Sequence, residues 1–306
     1  MKNLLVCLCI FGSLSVQAGY AGGRSDSGRN PAPASSAGKL GEAQSLSNEA
    51  QASMDRALAE INAEPTLEDL YYLGRAVAAN ILAIYKPYTG NQALTRYLNL
   101  ICQAIVINNP AIGLFNGCYV QILDSPELNA FASPGGHILV TRGFVESTRS
   151  EEMLAAIIAH ELAHIKLKHG MAIINQMQFS FESTRMANLA YDLSGGNSPA
   201  ARRLMNLRES AVTLIDTMLI NGYSQAQEFE ADQEALSLLE ATGYNPEALS
   251  EVLNILLEKQ FSDSGVMGLY ATHPSPAERI RNVERWIRYY RSQDTSWYRE
   301  ARFINN

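Results

Sequence analysis

Apolar residues recur at Leu70, Leu73, Val77, Ile81 and Ile84, the three-and-four spacing of one helix face. Pro65-Thr66-Leu67-Glu68 supplies a start signal before this stretch, and Lys86-Pro87 a stop after it. A second helix is predicted from about Asn91 to Val106. The period then shortens. Cys118-Tyr119-Val120-Gln121-Ile122-Leu123 is a strand-like run closed by Asp124-Ser125-Pro126. Asn129-Ala130-Phe131-Ala132 and His137-Ile138-Leu139-Val140 read as two more strands around the turn Ser133-Pro134-Gly135-Gly136. Together they predict a small antiparallel sheet.

Helical periodicity returns from about Ser150 to His169. Glu151 and Glu152 suit the positive end of that helix, Lys166 and Lys168 its negative end, and Gly170 the position just beyond. Residues 171–222 read as helical and Met-rich, broken at Gly195-Gly196-Asn197-Ser198-Pro199, with Met171 to Met186 as core or lid. Further helices are expected from Ser224 to Thr242, where Gly243 stops the run, and from Pro246 to Lys259. Ser275-Pro276-Ala277-Glu278 opens a last one, with cap, first-turn proline and capping-box glutamate, that runs to about Arg291. The fold class is α+β, mostly helical, with the small sheet over the helix of residues 150–169.

Before Leu70 the pattern has a different character. Lys2, the apolar run Leu4 to Leu14 and the small residues of Val16-Gln17-Ala18 form a signal-peptide pattern over 1–18. Cleavage is expected after Ala18, with Ala21 as the alternative, and the protein is expected to be exported, to a periplasm. Residues 19–53 are rich in Gly, Ser, Ala, Asn and Pro and read as a disordered tether, leaving one folded domain over 54–306. No other segment reaches the roughly 18 apolar residues of a membrane span. Charged residues make up 18% of the chain and the net charge is −7, with no basic stripe, which argues against nucleic acid as a partner. Of four cysteines, Cys7 and Cys9 fall in the leader; Cys102 and Cys118 either pair in an oxidising compartment or stay as separate buried thiols.

The chemistry centres on His160-Glu161-Leu162-Ala163-His164. Residues four apart on a helix lie roughly 40° apart around it, so both imidazoles leave one face and reach one zinc ion. Glu161 sits one residue round from His160, where a base could take the proton of a metal-held water. Met153, Leu154, Ile157 and Ile158 make this helix apolar, and buried His and Glu side chains are costly unless paired or metal-bound. A catalytic zinc takes three protein ligands and keeps one position open. Glu228-Phe229-Glu230-Ala231-Asp232 offers the third: Glu228 as ligand, with Asp232 on the same face to accept an imidazole N–H. The plain alternative for that stretch is a solvent-facing acidic helix. His169 is expected at an exposed helix end, and His137 at a surface strand position or lining the cleft.

These two motifs, with Asn129-Ala130-Phe131-Ala132-Ser133-Pro134-Gly135-Gly136, resemble the zinc peptidase family of the CAAX prenyl and HtpX-type proteases over about Leu70 to Ile280. The resemblance implies a zincin-like domain with one Zn2+ per chain, ligands His160, His164 and Glu228, general base Glu161 and supporting Asp232. It also implies that an edge strand from about Asn129 to Val140, including Asn129, Ala130, Phe131, Gly135 and Gly136, pairs with an extended polypeptide substrate. The absence of a predicted span is similar to the exported branch, the periplasmic β-barrel assembly-enhancing proteases. In that branch a histidine within a loop like Thr272-His273-Pro274-Ser275-Pro276, followed by Arg279-Ile280, can close the metal's open position; His273 is that plug or simply a turn residue. Substrates would be misfolded or stalled envelope proteins, among them outer-membrane β-barrel proteins or their assembly machinery. The branch continues into helical repeats for which this chain, ending at Asn306, has no room. The competing function is a chaperone-like binding module with a plugged, non-catalytic zinc.

Overall fold

The computed structural model describes residues 64–172, 222–262, 276–291 and 296–304, with isolated positions 48, 52 and 215. The leader, the tether, most of the Met-rich stretch and His273 lie outside the described residues. Contacts divide the chain into residues 1–63 and a second unit, 64–306, which holds everything below. No described helix is long and apolar enough to cross a membrane.

Helix α1, Leu67–Ile84, starts at Thr66, whose hydroxyl accepts the Asp69 N–H while Asp69 accepts the Thr66 N–H. Leu70, Leu73, Val77 and Ile81 are buried as their spacing predicts, but Ile84 lies beyond the last covered turn and is 61% exposed. Helix α2, Gln92–Asn108, is capped by Asn91 and buries Leu98, Ile101, Cys102 and Ile105. Between them Pro87 bridges to Leu123 at the end of the first strand.

The strands are β1, Tyr119–Leu123, β2, Ala130–Ser133, and β3, His137–Thr141. The sheet differs from the expected antiparallel one. Its order is β1-β3-β2, with β2 antiparallel to β3 and β1 parallel to it, Val120 opposite Ile138. The hairpin turn joins β2 to β3 as expected, whereas the 124–129 connection carries the chain across, so that β3 lies between its two predecessors. Helices cover both faces. Leu123, Phe131 and Leu139 pack with Leu73, Val77 and Ile81 of α1. The alternate residues Val120, Ile122, Ala130, Ile138 and Val140 join the main core. The turn itself is pressed against α1. Gly135 has φ 72°, and a Cβ there would meet the Tyr71 Cα at 2.4 Å; one on Gly74 would meet the Pro134 carbonyl at 1.7 Å.

After the short helix α3, Arg142–Ser147, comes α4, Glu151–Lys166, capped by Ser150 and buried without interruption from Glu151 to His164. It is flanked by α5, Gln225–Thr242, which opens on a Ser224/Gln227 capping box and closes on Gly243 at φ 80°. Helices α6, Ala248–Ser262, and α7, Pro276–Ile287, complete the core. A final helix, α8, Ser296–Ile304, extends beyond the predicted end near Arg291. It reaches back to the start of α4: Arg299 pairs with Glu152 and Arg302 with Glu151, both at 2.6 Å. Cys102 and Cys118 are both buried free thiols. Burial pushes Cys102 well up from the ordinary range, while its hydrogen bond holds Cys118 down.

Candidate metal centre

One helical turn separates His160 and His164, and α4 presents both to α5 inside the core. Their Nε2 atoms are 3.1 Å apart. Glu228, in the first turn of α5, brings Oε2 to 3.4 Å from His160 Nε2 and Oε1 to 3.5 Å from His164 Nε2. One ligand atom from each residue lies within 4.8 Å of the others, and all three residues are buried. Two nitrogens and one carboxylate oxygen converging on one point are the donor set of a catalytic zinc. The outward nitrogens are also engaged: His160 Nδ1 is 3.2 Å from Asp232 Oδ1, and His164 Nδ1 is 2.9 Å from His169 Nδ1. Zinc therefore fits the residues present, with each imidazole held from behind.

The charge around this point is unusual for a protein core. Glu161, Glu228 and Asp232 are each at most 2% exposed. Their cationic neighbour is Arg279 of α7, itself 4% exposed. It donates from Nε and Nη2 to both Asp232 oxygens, at 2.9 and 2.6 Å, and its Nη1 lies 2.9 Å from Glu228 Oε2. Burial works against the guanidinium, but the Asp232 and Glu228 charges keep it firmly protonated. Asp232 is likewise resisted by burial and held low by Arg279. Burial and Arg279 pull His160 down, yet hydrogen bonds to Asp232 and Glu228 prevail and push it up to about 9 in the absence of metal.

Glu161 lies beside His160, and the two share a small recess with Arg279 and the apolar side chains of Phe144, Leu253 and Leu256. On the other side, His164 and Tyr223 line a cavity of about 220 Å3 together with Ala132, Pro134, Gly135 and Met171. The β2–β3 hairpin is thus brought next to the cluster. The expected edge residues divide their roles. Asn129 caps its own strand, accepting from Ala130 N–H through its side chain and from Thr141 N–H through its carbonyl, both at 2.9 Å. Phe131 turns away to α1, while Gly135 and Gly136 form the turn.

Two histidines depart from expectation. His169 is 3% exposed rather than free at a helix end. Helix α4 stops at Lys166 and Lys168 takes a left-handed φ of 55°, which folds His169 back against His164. Helical phase, continued past that break, placed it on the wrong side. His137 starts β3 half-buried between the Tyr71 and Tyr119 rings, at 5.1 and 5.7 Å, instead of on the open surface. The sequence names Arg279 only as part of the loop match around His273, with no role of its own, and gives Tyr223 no mention. Arg279 carried a signal, since it shares the buried stripe of α7 with Pro276 and Val283, where a charge needs a partner. Tyr223, stacked on His164 at 4.0 Å, carried none.

The profile of peptidase family M48 matches residues 97–287. The chain is 26% identical over 198 residues to the β-barrel assembly-enhancing protease of Escherichia coli K12, covering 64% of this chain and 39% of that protein. The protein of the same description from Yersinia pestis is 27% identical over 73% of this chain and 43% of its own. The mitochondrial metalloendopeptidase OMA1 of Schizosaccharomyces pombe is 29% identical over 55% of this chain and 46% of its own. The chain thus spans less than half the length of these relatives. With the family profile spanning both the histidine helix and the Glu228 helix, this chain belongs to peptidase family M48.

Proposed function

We propose that this protein is a zinc-dependent endopeptidase of the cell envelope, with one zinc held by His160, His164 and Glu228. The observation that carries the proposal is the convergence of those three buried ligand atoms within 4.8 Å, with Glu161 next along the helix. When bound, zinc would supply Lewis acidity toward water and toward a peptide carbonyl. Glu161 takes the proton of the attacking water and returns it to the leaving amine, acting first as general base and then as general acid. Asp232 keeps His160 facing the cluster, and Arg279 keeps Asp232 and Glu228 in place.

An extended polypeptide would lie along β2. Thr141 N–H donates to the Asn129 carbonyl, so Asn129 and Thr141 form a hydrogen-bonded pair of the antiparallel ladder. By the alternation of that ladder, Ala130 and Ala132 direct their backbone groups away from β3, although the Ala130 N–H is held by the Asn129 side chain. Ala132 also lines the cavity that reaches His164, which supports main-chain pairing beside the metal. The leader pattern over residues 1–18 and the names of the relatives support an exported enzyme acting on outer-membrane β-barrel proteins or their assembly machinery.

The test is zinc content together with casein cleavage, on the purified chain and its Glu161→Gln variant. The expected result is one zinc in each, with cleavage lost by at least about a hundredfold in the variant. A variant that keeps zinc and cleaves at the parental rate would refute the mechanism.

A further inference from the structure

One hydrogen-bond path leaves the metal cluster without a part in the proposed reaction. His164 Nδ1 meets His169 Nδ1 at 2.9 Å, and His169 Nε2 lies 3.3 Å from Glu230 Oε2. His169 is buried, whereas the Glu230 side chain is 65% exposed. The path therefore runs from the ligand through a second buried ring to a carboxylate at the surface. Its geometry depends on the Lys168 reversal after α4 and on the first two turns of α5, which carry Glu228 inward and Glu230 outward.

We propose that His169 is a positioning residue for the metal, fixing the tautomer and ring plane of His164; this rests on the reading of His160, His164 and Glu228 as the ligand set. The proton assignment follows from the chain of contacts. An imidazole that offers Nε2 to a cation carries its proton on Nδ1 and must donate from there. His169 Nδ1 then accepts, so His169 carries its proton on Nε2 and donates to Glu230. Each contact has one donor and one acceptor, and both rings are neutral. Tyr223, parallel to the His164 ring within 14°, holds the same plane from the other side. His160 reaches the same result with a single carboxylate, Asp232 at 3.2 Å. The two ligands thus have different supports: one a fully buried acid, the other a ring whose own acid sits in water.

The experiment is a zinc titration of the metal-free protein against a chelating dye, alongside the visible spectrum of the cobalt-substituted protein and the melting temperature of the metal-free form. His169→Ala is expected to bind zinc about 10- to 100-fold more weakly, the usual cost of removing such a partner, and to shift the cobalt bands. His169→Asn, whose amide oxygen stands near the Nδ1 position, is expected to recover most of the affinity. Glu230→Ala should lose only a few-fold, because water can replace an exposed acceptor. Parental zinc affinity in His169→Ala would overturn the proposal. So would a His169→Asn protein that melts normally yet binds as weakly as the alanine variant, since His169 would then act by packing alone. A parental protein that takes up no zinc would remove the ligand set, and the proposal with it. Zinc uptake without casein cleavage would refute the peptidase reading and leave the His169 result standing.

Discussion

The two ends of α4 bury the same kinds of side chain and do different things with them. At the N-terminal end, Glu151 and Glu152 meet Arg302 and Arg299, each pair closing at 2.6 Å. Glu151 also accepts from the hydroxyls of Tyr97 and Tyr244, and Glu152 from the Asn245 N–H. The helix dipole favours acids at that end as well. Two carboxylates are thus matched by two guanidiniums. At the other end the described residues set Glu161, Glu228 and Asp232 against Arg279. That leaves a deficit of two positive charges when the histidines are neutral, which is what a divalent ion supplies. Burying charge is common to both ends; charge left unbalanced distinguishes the candidate metal site.

Three substitutions test whether the two ends of α4 differ in this way. The largest effect is expected from Glu228→Ala, which removes the only carboxylate in the ligand set. Zinc stoichiometry by elemental analysis should fall from one to near zero, and cleavage with it. Next is Arg299→Ala, which leaves Glu152 buried without its guanidinium and is expected to cost about 3 kcal/mol in denaturant unfolding. Zinc stoichiometry should not change; zinc loss in this variant would mean that the two ends are not separable. The smallest is Arg142→Ala, at an exposed pair with Asp124 and Glu146, expected to leave the unfolding midpoint almost unchanged in the same measurement. A loss there as large as at Arg299 would show that pairing counts regardless of burial.

Several elements were legible because their signals are local. The caps at Thr66, Asn91, Ser150 and Ser224, and the stop at Gly243, all act within a turn of helix, and all five are observed where their residue types suggest. Short strand-like runs bounded by turn residues located the strands. Helix α8 was missed because its principal anchors, Arg299 and Arg302, are polar and their carboxylate partners lie 147 and 151 residues away. The parallel β1–β3 pairing was missed for a related reason. Hairpin adjacency is written in the turn between β2 and β3, but which strand takes the centre depends on the packing of helices on both faces.

The candidate site divides in the same way. A four-residue spacing on a buried helix is enough to bring His160 and His164 to one point, and a second helix with Glu228 and Asp232 four apart supplies complementary acids; helix geometry fixes both facts in the sequence. Only tertiary structure decided that α7 delivers Arg279 between those acids, that Tyr223 stacks on His164, and that a reversal at Lys168 returns His169 to His164. These contacts join elements far apart in sequence, or cross a break in helical phase. A repeat distance along the chain specifies direction only while the backbone keeps its period. Where the period ends, packing determines which groups meet.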